Sequence, residues 1–240
     1  LRRQRQMCIR DSRRGGGINS GMGKKGILSP FTVVTSILTG SFFPLLGSFF
    51  AVMFTGRAYW EGIILTAFGG FMAHYFLAHT IHDLIHSRIE ERVTMSKGTL
   101  KLLLAITLAI LLFIAIYLSV KCGWPVMVFS IIGAVVCMYA EGLLHHESQM
   151  AFGAMFLVIG SFYVQAGYPD GVNGAISLGI KPWIELFLLS LFAFFSQYGW
   201  LLFYRLDDYN WSKEVKNRSI ILTKLGLVFL VMVFVLHTMM

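Results

Sequence analysis

The chain has 240 residues, of which 56% are hydrophobic and 13% charged, with a mean hydropathy of +0.70. The apolar residues fall in blocks of about 20, the length that crosses a hydrocarbon core, which excludes a soluble globular protein. The net charge of +8 does not point to nucleic acid: Arg2, Arg3, Arg5, Arg10, Arg13 and Arg14 against Asp11 give residues 1–21 a surplus of +5, leaving +3 for all the rest.

Residues 1–21 lack the apolar segment of a signal peptide and read as a non-native or disordered tail, with Met22 as the expected start of a single transmembrane domain over 22–240. Hydropathy predicts seven spans, near 28–54, 60–82, 100–120, 124–144, 149–167, 182–204 and 219–240. The expected fold class is therefore all-α, a polytopic transmembrane helix bundle in the lipid bilayer. Pro44 and several glycines interrupt the first span, which membrane helices tolerate where neighbours or a cavity satisfy the freed backbone groups. Cys8, Cys122 and Cys137 are too scattered for a disulfide framework or a thiolate metal site and read as packing residues.

Lysine and arginine set the expected orientation. One side holds Lys24, Lys25, Arg88, Arg92, Lys97, Lys101, Arg205, Lys213, Lys216, Arg218 and Lys224, and the other only Arg57, Lys121 and Lys181. Positive loops stay inside, so the N-terminus and the loops 83–99, 145–148 and 205–218 are expected in the cytoplasm, in a cell inner membrane, with 168–181 facing outward.

The end of the second span reads HYFLAHTIHDLIHSRIEER. On a helix His82, His86 and Glu90 lie one above another, with His79 and Asp83 adjoining, so potential metal ligands line one stripe. Ionisable groups at membrane depth are costly and by default face a bundle interior or a wet cavity. The fourth span ends in YAEGLLHHES, with Glu141, His145, His146 and Glu147, and the sixth runs into FYRLDDYNWSKEVKNRS, with Asp207, Asp208 and Glu214. His237, alone in the last span, reads as a packed or interface histidine. These elements predict a pocket walled by spans two, four and six. Carboxylates and imidazoles would hold a cation there, and Arg92, Lys97, Lys213 and Arg218 an anionic group, a combination suited to a divalent metal bridging to a diphosphate.

The pattern resembles the UbiA-type membrane prenyltransferases, and within them the MenA-like branch that acts on quinone precursors of the 1,4-dihydroxy-2-naphthoate kind, over residues 27–226. HDLIHSRIE resembles the family's N-D-x-x-D-x-x-x-D motif in place and spacing, and ERVTMSKGTL the basic segment after it. MYAEGL resembles Y-T-x-G-P, GSFYVQAG resembles G-T-Y-Y-V-Q-T-G, and LDDYNWSKEVKNRSIILTKLG resembles the second D-x-x-x-D motif through its closing L-G. The family has nine membrane helices, so the resemblance implies a bundle ending short at its C-terminus.

The resemblance implies transfer of a polyprenyl group from a prenyl diphosphate to an aromatic or polar-lipid acceptor, with Asp83 and Asp208 catalytic. His82, Asp83, His86, Glu90, Asp207 and Asp208 would hold the metal, Arg92 would contact diphosphate beside Lys97, Lys213 and Arg218, and Tyr139, His145 and Tyr163 would border the acceptor or prenyl pocket. The family uses Mg²⁺. Histidines stand here where it has Asn and Asp, giving a mixed nitrogen and oxygen set that also suits Mn²⁺, Zn²⁺ or Fe²⁺. Ser212 stands four residues after Asp208, where an acid is expected. Two alternatives stay open: a membrane di-metal oxidase or hydroxylase built on the histidine clusters, and a catalytically degenerate lipid- or ion-binding member of the same fold.

Overall fold

The structure, a computed structural model, describes residues 30–86, 95–142, 147–206 and 209–239, and within them the side chains of all but 30–32, 35, 86 and 137–142. The first span is α1 (Pro30–Gly40) and α2 (Phe42–Thr55) joined at Ser41. Pro44 sits in the first turn of α2, where its missing N–H costs no intrahelical bond. Gly56, at φ 63°, closes α2 with its N–H on the Val52 carbonyl, a left-handed cap that glycine adopts without strain.

The second span is α3 (Trp60–Phe71), a π-helical segment over Met72–Ala78, and α4 (His79–His86). Next come α5 (Lys97–Cys122), α6 (Pro125–Gly142), α7 (Glu147–Gly167), the short α8 (Val172–Ser177), α9 (Lys181–Tyr204) and α10 (Lys213–Met239). Ser96 begins α5 as an N-cap, its hydroxyl accepting from the Thr99 N–H at 3.1 Å.

The protein is an all-α polytopic bundle. Among the described residues six helical segments are long and apolar enough to cross a membrane: Ser36–Thr55, Trp60–Ile85, Lys97–Cys122, Glu147–Gly167, Lys181–Tyr204 and Lys213–Met239. The expected span at 124–144 corresponds to α6, and the part of it with described side chains, Pro125–Val136, is apolar. Helix α7 is the hub, packed on α2, α6 and α9, while α9 and α10 form the most extensively packed pair. In the α7 span 56% is inside the bundle, against 22% for α5 and for α10, whose apolar outer faces suit hydrocarbon.

Helices in lipid gain little from burying apolar surface against one another, so small residues that admit close backbone approach set the crossings. At the crossing of the first two spans a Cβ on Gly70 would lie 2.0 Å from the Gly40 carbonyl oxygen. A Cβ on Gly47 would lie 2.2 Å from the Val158 oxygen, and one on Gly199 2.4 Å from Thr223 Oγ1. Each pair fixes how one span passes another.

Candidate functional site

Direct contacts define the two ends of the bundle. At one end Glu147, opening α7, meets Arg205 and Tyr209 beyond α9. At the other, Gln165 near the close of α7 brackets the Tyr59 backbone, accepting its N–H at 2.9 Å and donating to its carbonyl at 3.2 Å. Since α3 begins beside Tyr59, the His79–His86 turn that closes the second span lies at the Glu147 end. His82 and Asp83 on α4 and the Glu147–Arg205 pair thus lie at the same end of the bundle, while Glu141, His145 and His146 of the fourth span fall outside the described side chains.

At this end His82 and Asp83 are each 5% exposed, with His82 Nδ1 3.6 Å from Asp83 Oδ1. Helix α4 packs against α5 and α6, which accounts for their burial. Glu147, 2% exposed, accepts from Arg205 Nη1 at 2.9 Å and from the Tyr209 hydroxyl at 2.7 Å. Beyond it the chain turns sharply: Asn210 and Trp211 both have positive φ, 51° and 54°, and the Trp211 N–H reaches back to the Leu206 carbonyl at 2.9 Å. Lys97 and Lys213 are exposed at the first residues of α5 and α10, where backbone N–H groups already favour anions. Arg218 lies one turn further along α10, donating to the Tyr198 hydroxyl at 2.7 Å with its guanidinium 5.4 Å from that ring's centre.

The remaining expected ligands divide. His86 closes α4 and Tyr139 lies on α6, both with side chains outside the description, and Glu90, Arg92, His145, Asp207 and Asp208 lie outside the described residues. Among the described residues no three His, Cys, Asp or Glu side chains come together as a metal site. His82 and Asp83 supply two donors of the expected mixed kind, and a complete set needs the others.

Above this end, inside the membrane, lies an apolar cavity of ≈ 320 Å³ between the first span, α3 and the π segment, α5, α6 and α7. Small residues create it: a Cβ on Gly133 would meet nothing within 4 Å, and one on Gly153 only Val136 Cγ1 at 3.8 Å. Its wall runs from Leu118 and Val126, toward the Tyr59 end, to Ala78, the residue before α4. His74, in the π segment, is the one ionisable side chain on the described wall, and its Nδ1 is 3.1 Å from the Ser36 hydroxyl.

Tyr163 is buried near the opposite end and does not line this cavity; its hydroxyl faces Gly123, where a Cβ would lie 3.1 Å away, and Phe129 packs 5.7 Å from its ring. The same end holds two groupings that sequence reasoning did not single out. Tyr59 stacks on Tyr168 at 3.9 Å and donates to Glu61 at 3.0 Å, and burial together with that carboxylate pushes its phenol well above the usual range. Glu185, fully buried on α9, pairs with His237 Nδ1 at 2.9 Å and with Lys181 Nζ at 3.7 Å, tying the two last spans together. A carboxylate and an imidazole set inside apolar spans are the sequence signal that would have drawn attention to Glu185 and His74.

No family model matches this chain, and neither does any curated protein or any solved structure.

Proposed function

We propose that this integral membrane protein is a prenyltransferase, moving a polyprenyl group from a prenyl diphosphate to an aromatic or polar-lipid acceptor. The observation that carries the reading is the apolar cavity: it lies lengthwise in the membrane and stops at Ala78, directly before the turn that buries His82 and Asp83. A prenyl chain in the cavity would bring its diphosphate to the polar end, which we read as cytoplasmic because most lysines and arginines outside residues 1–21 belong there.

In this reading His82 and Asp83, joined by His86, Glu90, Asp207 and Asp208, hold a divalent cation, which when bound supplies positive charge to the departing diphosphate. Mg²⁺ is the family's ion, and the imidazoles extend the choice to Mn²⁺, Zn²⁺ or Fe²⁺. Lys97 and Lys213, with Arg92 and Arg218 nearby in sequence, supply fixed positive charge for the same group. Asp83 is held by the packing of α4 beneath α5 and α6, which limits water around the reacting end. Arg205 and Tyr209 are both fastened to Glu147.

The test is diphosphate release from labelled geranylgeranyl diphosphate by the detergent-purified protein and its Asp83→Asn and Asp208→Ala variants. Loss of at least a hundredfold in both variants supports a shared site. Turnover near that of the unsubstituted protein in either variant rejects the assignment of that residue.

A further inference from the structure

We infer that the groove between α3 and α5 at the Tyr59 end of the bundle seats a phospholipid whose head carries a primary ammonium. Glu61 takes the ammonium, Lys121 the phosphate, and Ile64, Leu65 and Phe113 an acyl chain. The inference does not depend on the prenyl-transfer reading.

Four observations lead there. First, a groove of ≈ 310 Å³ lies between these two helices, lined by Glu61, Ile64, Leu65, Phe113 and Tyr117. One carboxylate stands at the head of a wall that is otherwise aliphatic and aromatic, which matches an amphiphile. Second, both charges sit at the membrane boundary. Glu61 is in the first turn of α3 and Lys121 in the last turn of α5. Trp60 and Trp124, next to these helix ends in sequence, are exposed, as tryptophans are at the level of lipid heads. Third, the carboxylate is held in place and still has capacity. The Tyr59 hydroxyl donates to Glu61 Oε2 at 3.0 Å, and the Tyr117 hydroxyl adjoins. An ionised carboxylate has about four acceptor positions, so two phenols leave room for another donor. Fourth, Lys121 stands at the rim of the groove, its Nζ 5.9 Å from the centre of the Tyr117 ring. At the same end Lys181 is instead drawn to 3.7 Å from the buried Glu185.

The two charges also define the head. A lipid with a phosphate and no amine gains from Lys121 and is repelled by Glu61. A trimethylammonium head carries the right charges but has no N–H to give the carboxylate, whereas a primary ammonium makes charge-assisted hydrogen bonds. Below the charges the groove continues on apolar side chains. Ile64 follows Glu61 by about one turn of α3, and Phe113 precedes Lys121 by about two turns of α5, both exposed where a chain would lie.

The test measures, by native mass spectrometry of the detergent-purified full chain, binding of dioleoyl phosphatidylethanolamine, phosphatidylcholine and phosphatidylglycerol. We expect the ethanolamine lipid to bind about fivefold more tightly than either of the others, the upper end of what an exposed ion pair supports. In Glu61→Gln, which keeps an oxygen for the phenols, that preference should fall to about unity. Lys121→Gln should weaken the ethanolamine and glycerol lipids alike by about threefold. Both positions are exposed, so neither change threatens folding. Phe113→Ala should weaken all three lipids. Equal affinity of the three lipids for the unsubstituted protein, a preference that survives Glu61→Gln, or glycerol-lipid binding indifferent to Lys121→Gln overturns the inference. So does displacement of the lipid by millimolar phosphoethanolamine, which would make this a site for a soluble head group. Lipid-free dimers dispersed by Phe113→Glu would assign the groove to a second copy of the chain and overturn it as well.

Discussion

Arg205→Ala probes the polar end of the bundle where its energetics are most sharply defined. Glu147 is 2% exposed, and Arg205, with a side chain 21% exposed, donates to it at 2.9 Å. Removing the guanidinium strands a carboxylate that water cannot reach, leaving it the Tyr209 hydroxyl at 2.7 Å. Breaking a buried pair from one side costs roughly 3–5 kcal/mol. The partial exposure of Arg205 places the loss near the lower figure, about 3 kcal/mol. Glu147→Gln keeps an oxygen for both donors and should cost less, about 1–2 kcal/mol, and Tyr209→Phe about 1 kcal/mol. The double variant Glu147→Ala/Arg205→Ala should be more stable than Arg205→Ala alone, because it removes the stranded charge along with its partner. Unfolding by a graded denaturing detergent, followed by tryptophan fluorescence in micelles, measures each value. An Arg205→Ala protein within about 0.5 kcal/mol of the unsubstituted chain, or a double variant less stable than Arg205→Ala, would refute the reasoning.

Gly70→Leu should destabilise the protein by about 1–3 kcal/mol or prevent its folding, because its Cβ must displace the Gly40 carbonyl at a backbone crossing; detergent unfolding and monodispersity check this, and an unaffected protein would show that the spans separate freely. Tyr59 has its phenol raised above the ordinary value of about 10 by burial and by Glu61. The unfolded chain therefore loses this proton first as pH rises, so the contribution of Tyr59 is complete below about pH 10 and declines above it. Tyr59→Phe should flatten the stability profile between about pH 10 and 11.5, and an unchanged alkaline slope would contradict the assignment. Glu185→Gln weakens the link between α9 and α10 at His237 and Lys181 and should lower stability by about 1–2 kcal/mol in detergent unfolding; a variant as stable as the unsubstituted chain would contradict that role.

The spans were legible in the sequence because hydropathy is a local property. The expected 60–82 and 182–204 meet Trp60–Ile85 and Lys181–Tyr204 almost end to end. The π segment was not legible: MAHYFLA differs little in composition from its α-helical neighbours, and the extra residue per turn shows where rings five residues apart meet, Phe71 with Phe76 and His74 with His79. Of the candidate site, the placing of His82, Asp83 and Glu147 at one end of the bundle could be read from residue order. The pairings could not, since Ser36 and His74 are 38 residues apart and Glu147 and Arg205 are 58 apart. His237 read as a packing residue because its partner Glu185 comes 52 residues earlier, on another helix. The cavity was hidden for a related reason. It arises where Gly133 and Gly153 on facing helices leave room, and elsewhere in this chain glycines at Gly40 and Gly70 do the opposite and close a crossing. Whether a small residue opens space or fills it depends on what the neighbouring helix presents.

The central claim is most directly tested by incubating the purified protein with labelled geranylgeranyl diphosphate and following binding and diphosphate release in Mg²⁺, Mn²⁺, Zn²⁺ and Fe²⁺ separately. The account predicts metal-dependent binding and release with at least one of these ions, abolished by excess chelator and restored when the ion is returned. Failure to bind or cleave the prenyl diphosphate with any of the four would contradict it.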